Sequence, residues 1–229
     1  MAISVDTVYQ RVLALANKEQ RGYITPQEFN LLAAQAQMEI FEQYFYDQNQ
    51  ADRNLKNSTE FSNPDEILDE KLSIFKRTAT LAIGGGIATL PNQLYRLGMV
   101  YTTLGSIELE QLTEEEALYL NLSPIAMPTA DLPAFVRTGQ LALKIYPASV
   151  TAITCNYIIA PTVPNWHYVV VNEKALYNPG PSVDFELHDS DMAELVYKIL
   201  ALAGIVIAKV GIKDIGNAEI LTQKTQEKQ

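Results

Sequence analysis

The spacing of apolar residues changes twice along this sequence. Near both ends, apolar residues recur every three or four positions, as on one face of an α-helix. Between about residues 73 and 186 they instead alternate within short runs, which is typical of β-strands. The order predicts an α+β protein: a split helical domain, residues 1–72 and 187–229, with an inserted β-rich domain, residues 73–186, that contains one short helix.

The helical domain is predicted to be a bundle. Residues 4–18 form a first helix, and Thr25-Pro26-Gln27-Glu28 is a strong start signal for a second, with Thr25 as N-cap and Glu28 closing a capping box. The second helix runs to about Asp47, so that the two form an αα-hairpin. A broad apolar face over residues 189–210 predicts a C-terminal helix that covers this hairpin.

The middle of the chain shows turn and strand signals. Gly84-Gly85-Gly86 separates two strand-like runs and predicts a hairpin tip, and Thr113 to Glu116 is a second capping box that opens the short helix. Before this region, residues 48–63 are polar and rich in asparagine. We expect them to form a surface loop or an arm that contacts a partner.

Charge and cysteine content limit the classes of function. A formal net charge of -10 argues against a protein that neutralises DNA phosphates, although an acidic surface suits a channel through which DNA slides. A single cysteine, Cys155, excludes an intramolecular disulfide. The longest apolar stretch, residues 199–208, is about half as long as a membrane-spanning helix, so no membrane partner is expected.

A search for chemistry finds no catalytic, cofactor-binding or metal-binding residues. Cys155 could act as a thiolate nucleophile with His167 or His188 as base, but its alternating strand favours a buried structural role. Residues 189–191 begin like a calcium loop, but the downstream glycine and glutamate of such a loop are missing, and helix capping explains them. The sequence therefore predicts a protein that is not an enzyme and needs no cofactor.

Aromatic residues supply candidates for contacts with partners. Trp166, Tyr168 and Tyr177 lie among prolines and could form a platform for a sugar or peptide, although a lone tryptophan is more typical of a packing anchor or an interface hot spot. Six residues are predicted as interface candidates: Phe29, Tyr44, Asn54, Phe61, Trp166 and Tyr177.

The whole order resembles a family of virion proteins. The resemblance rests on the helical hairpin of residues 4–47, on Leu90-Pro91-Asn92-Gln93-Leu94, on the proline segment 157–166 and on the closing segment 183–204. In these features the chain resembles the ring and adaptor proteins at the head-to-tail junction of short-tailed bacteriophages, closest to those of crAss-like phages.

The resemblance implies a structural role in the virion. It implies a homo-oligomeric ring with twelve-fold symmetry in the neck, below the portal, made in the host cytoplasm. The portal protein and neighbouring ring or tail proteins would be its partners, and DNA would pass through the lumen without specific binding. Two alternatives stay open: a phage assembly chaperone or tail completion factor, and a virion-associated cell-wall hydrolase.

Overall fold

A computed structural model describes residues 3–18, 24–51 and 63–206. Within these ranges the protein is α+β, as predicted, with five α-helices and nine strands. The chain divides into two compact units. The helical unit comprises Met1–Ile74 and Pro161–Gln229, and the barrel-like unit comprises Phe75–Ala160.

The helical unit is built around its C-terminal helix. Its elements are α1 (Val5–Lys18), α2 (Pro26–Ala51), α3 (Pro64–Ser73) and, after a short 3-10 turn at Asp189–Asp191, a last helix that we call α5 (Met192–Val206). Both α1 and α2 pack against α5, which confirms the prediction that a C-terminal helix covers the two N-terminal helices. The shared core consists of buried apolar side chains, among them Val8, Val12, Phe29, Ile40, Leu195 and Ile199.

The start of α2 shows the predicted capping box. The backbone N–H of Thr25 donates to the Glu28 carboxylate at 2.9 Å, and the backbone N–H of Glu28 donates to the Thr25 hydroxyl at 3.3 Å. The helix continues four residues beyond the predicted end at Asp47. The connection at residues 19–23, the last predicted residues 207–210 of the C-terminal helix and most of the predicted arm, residues 52–62, lie outside the described residues.

Residues 161–186 were predicted to belong to the β-rich domain, but they lie in the helical unit. Ile3 and Phe185 form an antiparallel bridge, and the Asn30 side chain donates to the Trp166 carbonyl at 3.2 Å. The segment also contains a hairpin of two strands, β8 (Tyr168–Val171) and β9 (Lys174–Tyr177). Because these hydrogen bonds join the segment to the start of the chain and to α2, it packs with the helices.

The barrel-like unit contains a curled sheet of seven strands in the order β3-β7-β1-β2-β6-β5-β4. The elements are β1 (Lys76–Gly84), β2 (Ile87–Thr89), β3 (Leu94–Thr102), β4 (Glu110–Leu112), α4 (Glu114–Leu122), β5 (Ala134–Arg137), β6 (Ala142–Tyr146) and β7 (Ala152–Ile159). The sheet curls until the Leu109 N–H, just before β4, donates to the Val100 carbonyl of β3 at 2.8 Å. Its interior is filled by apolar side chains such as Leu90, Leu143 and Ile153.

The hairpin turn and the capping box that were predicted for this unit are both confirmed. Gly85 and Gly86 have φ angles of 62° and 79°, the left-handed conformation that a two-residue hairpin turn requires and glycine adopts without strain. At α4, the Thr113 N–H donates to the Glu116 carboxylate at 2.8 Å and the Glu116 N–H donates to the Thr113 hydroxyl at 3.3 Å, which is the predicted capping box.

Candidate interaction surfaces

A buried polar cluster joins three segments of the helical unit. Lys71 Nζ, from α3, lies 2.8 Å from Asp191 Oδ1, and the Tyr44 hydroxyl, from α2, donates to Asp191 Oδ2 at 2.5 Å. The Lys71 and Asp191 side chains are 8% and 1% exposed. Because a buried charge without a partner is costly, this pairing fixes the three segments together.

Ser190 and His188 extend this cluster toward the surface. The Ser190 hydroxyl lies 2.9 Å from His188 Nδ1, and His188 Nε2 lies 3.9 Å from Glu70 Oε1. The order serine, histidine, glutamate is that of a nucleophilic triad. However, His188 Nδ1 also accepts the Ser190 backbone N–H at 3.3 Å, so that His188 is the N-cap of the turn. Capping accounts for the histidine, and the Ser190 hydroxyl also donates to Asp191 Oδ1 at 3.3 Å.

Residues 189–191 were predicted to cap a helix, and this prediction is wrong about which residue is the cap. The cap is His188, and Asp191 is the buried acceptor of Lys71 and Tyr44. Both Asp191 oxygens are occupied by these donors. Across residues 3–18, 24–51 and 63–206, no group of three or more His, Cys, Asp or Glu side chains is placed to hold a metal ion.

Trp166 is the centre of an aromatic cluster in the helical unit. Its ring stacks on those of Tyr168 and Tyr177, each with a centroid distance of 5.7 Å, and lies 4.4 Å from the ring of Tyr9. Its indole N–H donates to Asp6 Oδ1 at 2.9 Å. The tryptophan is only 2% exposed, so its ring is covered by the chain's own side chains and offers no open platform for a sugar or peptide.

The interface candidates fall into three groups. Phe29, Tyr44 and Trp166 are each less than 5% exposed, and packing inside the helical unit explains their apolar character. Their prediction as interface residues needs correction, because buried side chains cannot meet a partner in this conformation. Tyr177 is half-buried, with one ring face on Trp166. Asn54 and Phe61 lie outside the described residues, so their interface role stays a prediction.

Cys155 is fully buried inside the barrel-like unit. It lies on β7 between Ala79 of β1 and Val100 of β3. Burial raises the pKa of the Cys155 thiol, because a thiolate is poorly solvated among apolar side chains. A raised pKa opposes the nucleophilic role that was considered for this residue and favours the structural one.

Several large apolar side chains are exposed on and after α4. We call them the α4 surface: Leu118, Tyr119, Leu122, Ile125, Met127 and Leu132. Their exposure ranges from 50% for Met127 to 97% for Ile125. The opposite face of the helix is also apolar, since Ala117 and Leu120 pack on Val136 and Tyr146. A helix with apolar side chains on two opposite faces normally packs against protein on both of them.

A groove borders the α4 surface within the same unit. It has a volume of about 330 Å3 and runs between α4 and strands β5 and β6, with Leu118, Asn121 and Tyr146 among its walls. Lys144 Nζ lies 5.3 Å from the centroid of the Tyr146 ring. The Tyr146 hydroxyl, and to a smaller extent the Glu114 carboxylate, raise the pKa of Lys144. An apolar side chain of a partner could enter this groove.

A second exposed apolar region belongs to the helical unit. The β8–β9 hairpin places Tyr168 and Tyr177 against Trp166, so that the cross-strand pair Val169 and Leu176 lies on the other face. We call Val169, Val171 and Leu176 the hairpin surface; their exposure is between 46% and 52%. One face of the hairpin already packs on Trp166, and a partner on the hairpin surface would bury the other face and stabilise the hairpin further.

No protein-family model and no curated protein matches this sequence. Among the described residues, no helix combines the length and the apolar character needed to cross a bilayer.

Proposed function

We propose that this chain is a structural subunit of a homo-oligomeric ring in the head-to-tail connector of a short-tailed bacteriophage. The observation that carries the proposal is the exposure of two unlike apolar surfaces, the α4 surface and the hairpin surface. Groups of exposed large apolar side chains are typical of contacts with other proteins.

Two unlike surfaces favour a ring over a symmetric dimer. A dimer with two-fold symmetry uses the same patch on both copies, whereas a head-to-tail contact uses one patch on each side of every subunit. Such a contact closes into a ring when its rotation divides a full turn. A chain with one apolar surface on each of its units has what a repeating head-to-tail contact requires.

Charge is the second support for the connector role. The formal net charge of -10 makes the protein repel DNA phosphates, which would let DNA slide through a lumen without adhering. Stable interfaces with the portal and with neighbouring ring or tail proteins would then depend on apolar contact more than on attraction to DNA.

A role without catalysis is part of the proposal. The cysteine considered as a nucleophile is buried with a raised thiol pKa, and the histidine beside Ser190 is a helix cap. Both residues thus have structural explanations. A peptidoglycan cleavage assay with the purified chain would overturn this part of the proposal if it gave soluble fragments.

Electron microscopy of the full-length protein tests the ring directly. We expect negatively stained particles with a central opening, either from the protein alone or after mixing with the portal protein of the same phage. Monomeric particles in both samples would contradict the proposal. Binding to the portal during assembly together with absence from mature virions would also contradict it, and would favour the assembly-chaperone alternative.

A further inference from the structure

The α4 surface and its surroundings are acidic as well as apolar. Residues 114–132 contain Glu114, Glu115, Glu116 and Asp131 but no lysine or arginine. Glu116 is engaged by the Thr113 capping box, and Glu114 faces Lys144 across the groove. A binding partner of this surface should therefore combine large apolar side chains with basic ones.

The sequence after Val206 has this chemistry. Residues 207–229 carry four lysines against three acidic residues, in a chain whose net charge is -10. They also carry six large apolar residues interspersed with these lysines. The apolar residues are Ile207, Val210, Ile212, Ile215, Ile220 and Leu221, and the lysines are Lys209, Lys213, Lys224 and Lys228.

The other long segment outside the described residues is a poorer match. Residues 52–62 contain Arg53 and Lys56, which are balanced by Asp52 and Glu60, and only two large apolar residues, Leu55 and Phe61. They offer no excess of positive charge and few apolar anchors. Length also favours residues 207–229, because 23 extended residues span up to about 80 Å and can therefore reach a neighbouring copy.

We infer that the α4 surface of one copy binds residues 207–229 of the neighbouring copy. The inference rests on the proposed ring, because the ring supplies the neighbour. Apolar residues of the segment would cover Leu118, Leu122 and Ile125, with one side chain in the adjoining groove, and its lysines would face Glu115 and Asp131. The ring would then be held by an exchanged segment in each contact.

Disulfide trapping in the full chain tests this pairing. Leu122→Cys is made in one preparation and Ile215→Cys in another, and the two are mixed and oxidised with copper phenanthroline. Leu122 is 73% exposed, so its substitution should not disturb folding, and the native Cys155 is fully buried and should not react. We expect a disulfide-linked dimer that contains one copy of each variant.

The matched control replaces Leu122→Cys with Asn92→Cys, an exposed residue in the turn before β3. It should give at least severalfold less dimer with Ile215→Cys. Adding Glu115→Lys to the Leu122→Cys chain should lower the yield by roughly two- to fivefold, the range expected for one exposed ion pair. Lys213→Glu on the other chain should restore part of that yield.

Native mass spectrometry of the same samples separates the two proposals. If the closed oligomer is present but mixing gives no more dimer than the control, the exchanged segment is refuted and the ring stands. If Leu122→Cys and Ile215→Cys link only when both are in one chain, exchange between copies is likewise refuted. If only monomer is found and no dimer forms, both proposals fall.

Discussion

Trp166 in the helical unit and Leu122 in the barrel-like unit are both large apolar side chains, yet Trp166 is 2% exposed and Leu122 is 73% exposed. Trp166 has Tyr168 and Tyr177 on its ring and Asp6 on its indole N–H. Within the described residues, Leu122 and its neighbours Leu118 and Tyr119 are mostly exposed. Each buried side chain of this size contributes roughly 1.5–3 kcal/mol, which the α4 surface does not gain in a single chain.

The difference teaches that large apolar residues of this chain serve two purposes: some pack inside a unit, as around Trp166, and others are exposed, as on the α4 surface. Those around Trp166 stabilise the folded chain, whereas those of the α4 surface are exposed and, in the proposed ring, join subunits. Substitutions should therefore separate the two roles: changes inside the helical unit should lower the free energy of unfolding, and changes on the α4 surface should affect assembly.

The largest effect is expected at the buried ion pair. Asp191→Ala removes the carboxylate that accepts from both Lys71 and Tyr44 and so breaks a buried ion pair. We expect a loss of about 3–5 kcal/mol in the free energy of unfolding. Urea unfolding followed by the fluorescence of Trp166, the only tryptophan, measures it. Asp189→Ala, at an exposed position, is the control and should cost under about 0.5 kcal/mol.

A similar loss is expected when Trp166 is truncated. Trp166→Ala empties a site enclosed by aromatic rings, and large-to-small changes of this kind cost about 3–5 kcal/mol. Circular dichroism during urea unfolding measures the loss. Tyr46→Ala, which removes a 57% exposed aromatic of α2, is the control. If Trp166→Ala left the free energy of unfolding unchanged but weakened assembly, Trp166 would be an interface residue after all.

Intermediate effects are expected at the two capping boxes. Thr25→Ala and Thr113→Ala remove equivalent caps in the two units, and each should cost about 1 kcal/mol at pH 7. Hydrogen bonds from Thr25 and Thr113 lower the pKa of Glu28 and Glu116. Because the pKa of each carboxyl group is lower in the folded chain than in the unfolded one, the ionised carboxylate stabilises the fold at any pH above the unfolded pKa. This stabilisation is lost as the pH falls through the folded pKa. An alanine keeps the backbone N–H, which is the larger cause, and removes only the hydroxyl that also donates to the carboxylate. The part of each cost that comes from the hydroxyl–carboxylate hydrogen bond should therefore shrink between about pH 6 and about pH 3 in urea titrations.

The smallest effect on stability is expected on the α4 surface. Leu122→Ser changes a side chain that is already mostly in water, so the free energy of unfolding of the monomer should change by under about 0.5 kcal/mol. Assembly should nevertheless weaken, which sedimentation velocity can measure. Ala117→Ser, on the buried face of the same helix, should show the reverse pattern. A loss of stability in Leu122→Ser would mean that this surface is covered within the chain.

Local features of the fold could be predicted from sequence, because each depends on a few adjacent residues. The capping boxes at Thr25 and Thr113 and the turn at Gly85 and Gly86 are of this kind. The β8–β9 hairpin carries a weaker signal, because its turn residues Asn172 and Glu173 adopt positive φ angles that usually favour glycine.

Features that depend on distant residues could not be predicted. Lys71 and Asp191 are 120 positions apart, and nothing in either neighbourhood indicates the other. Aromatic residues pointed to an interface, but the structure uses Trp166 and Phe29 inside the helical unit. The α4 surface was missed because apolar spacing identifies a helix without indicating which of its faces the rest of the chain covers.

Native mass spectrometry of the full-length protein over a range of concentrations tests the ring most directly. The account predicts a closed assembly of many 25.5 kDa subunits, with no ladder of open intermediates, formed by the protein alone or on addition of the portal protein. A 25.5 kDa monomer at every concentration, with and without the portal protein, would contradict it.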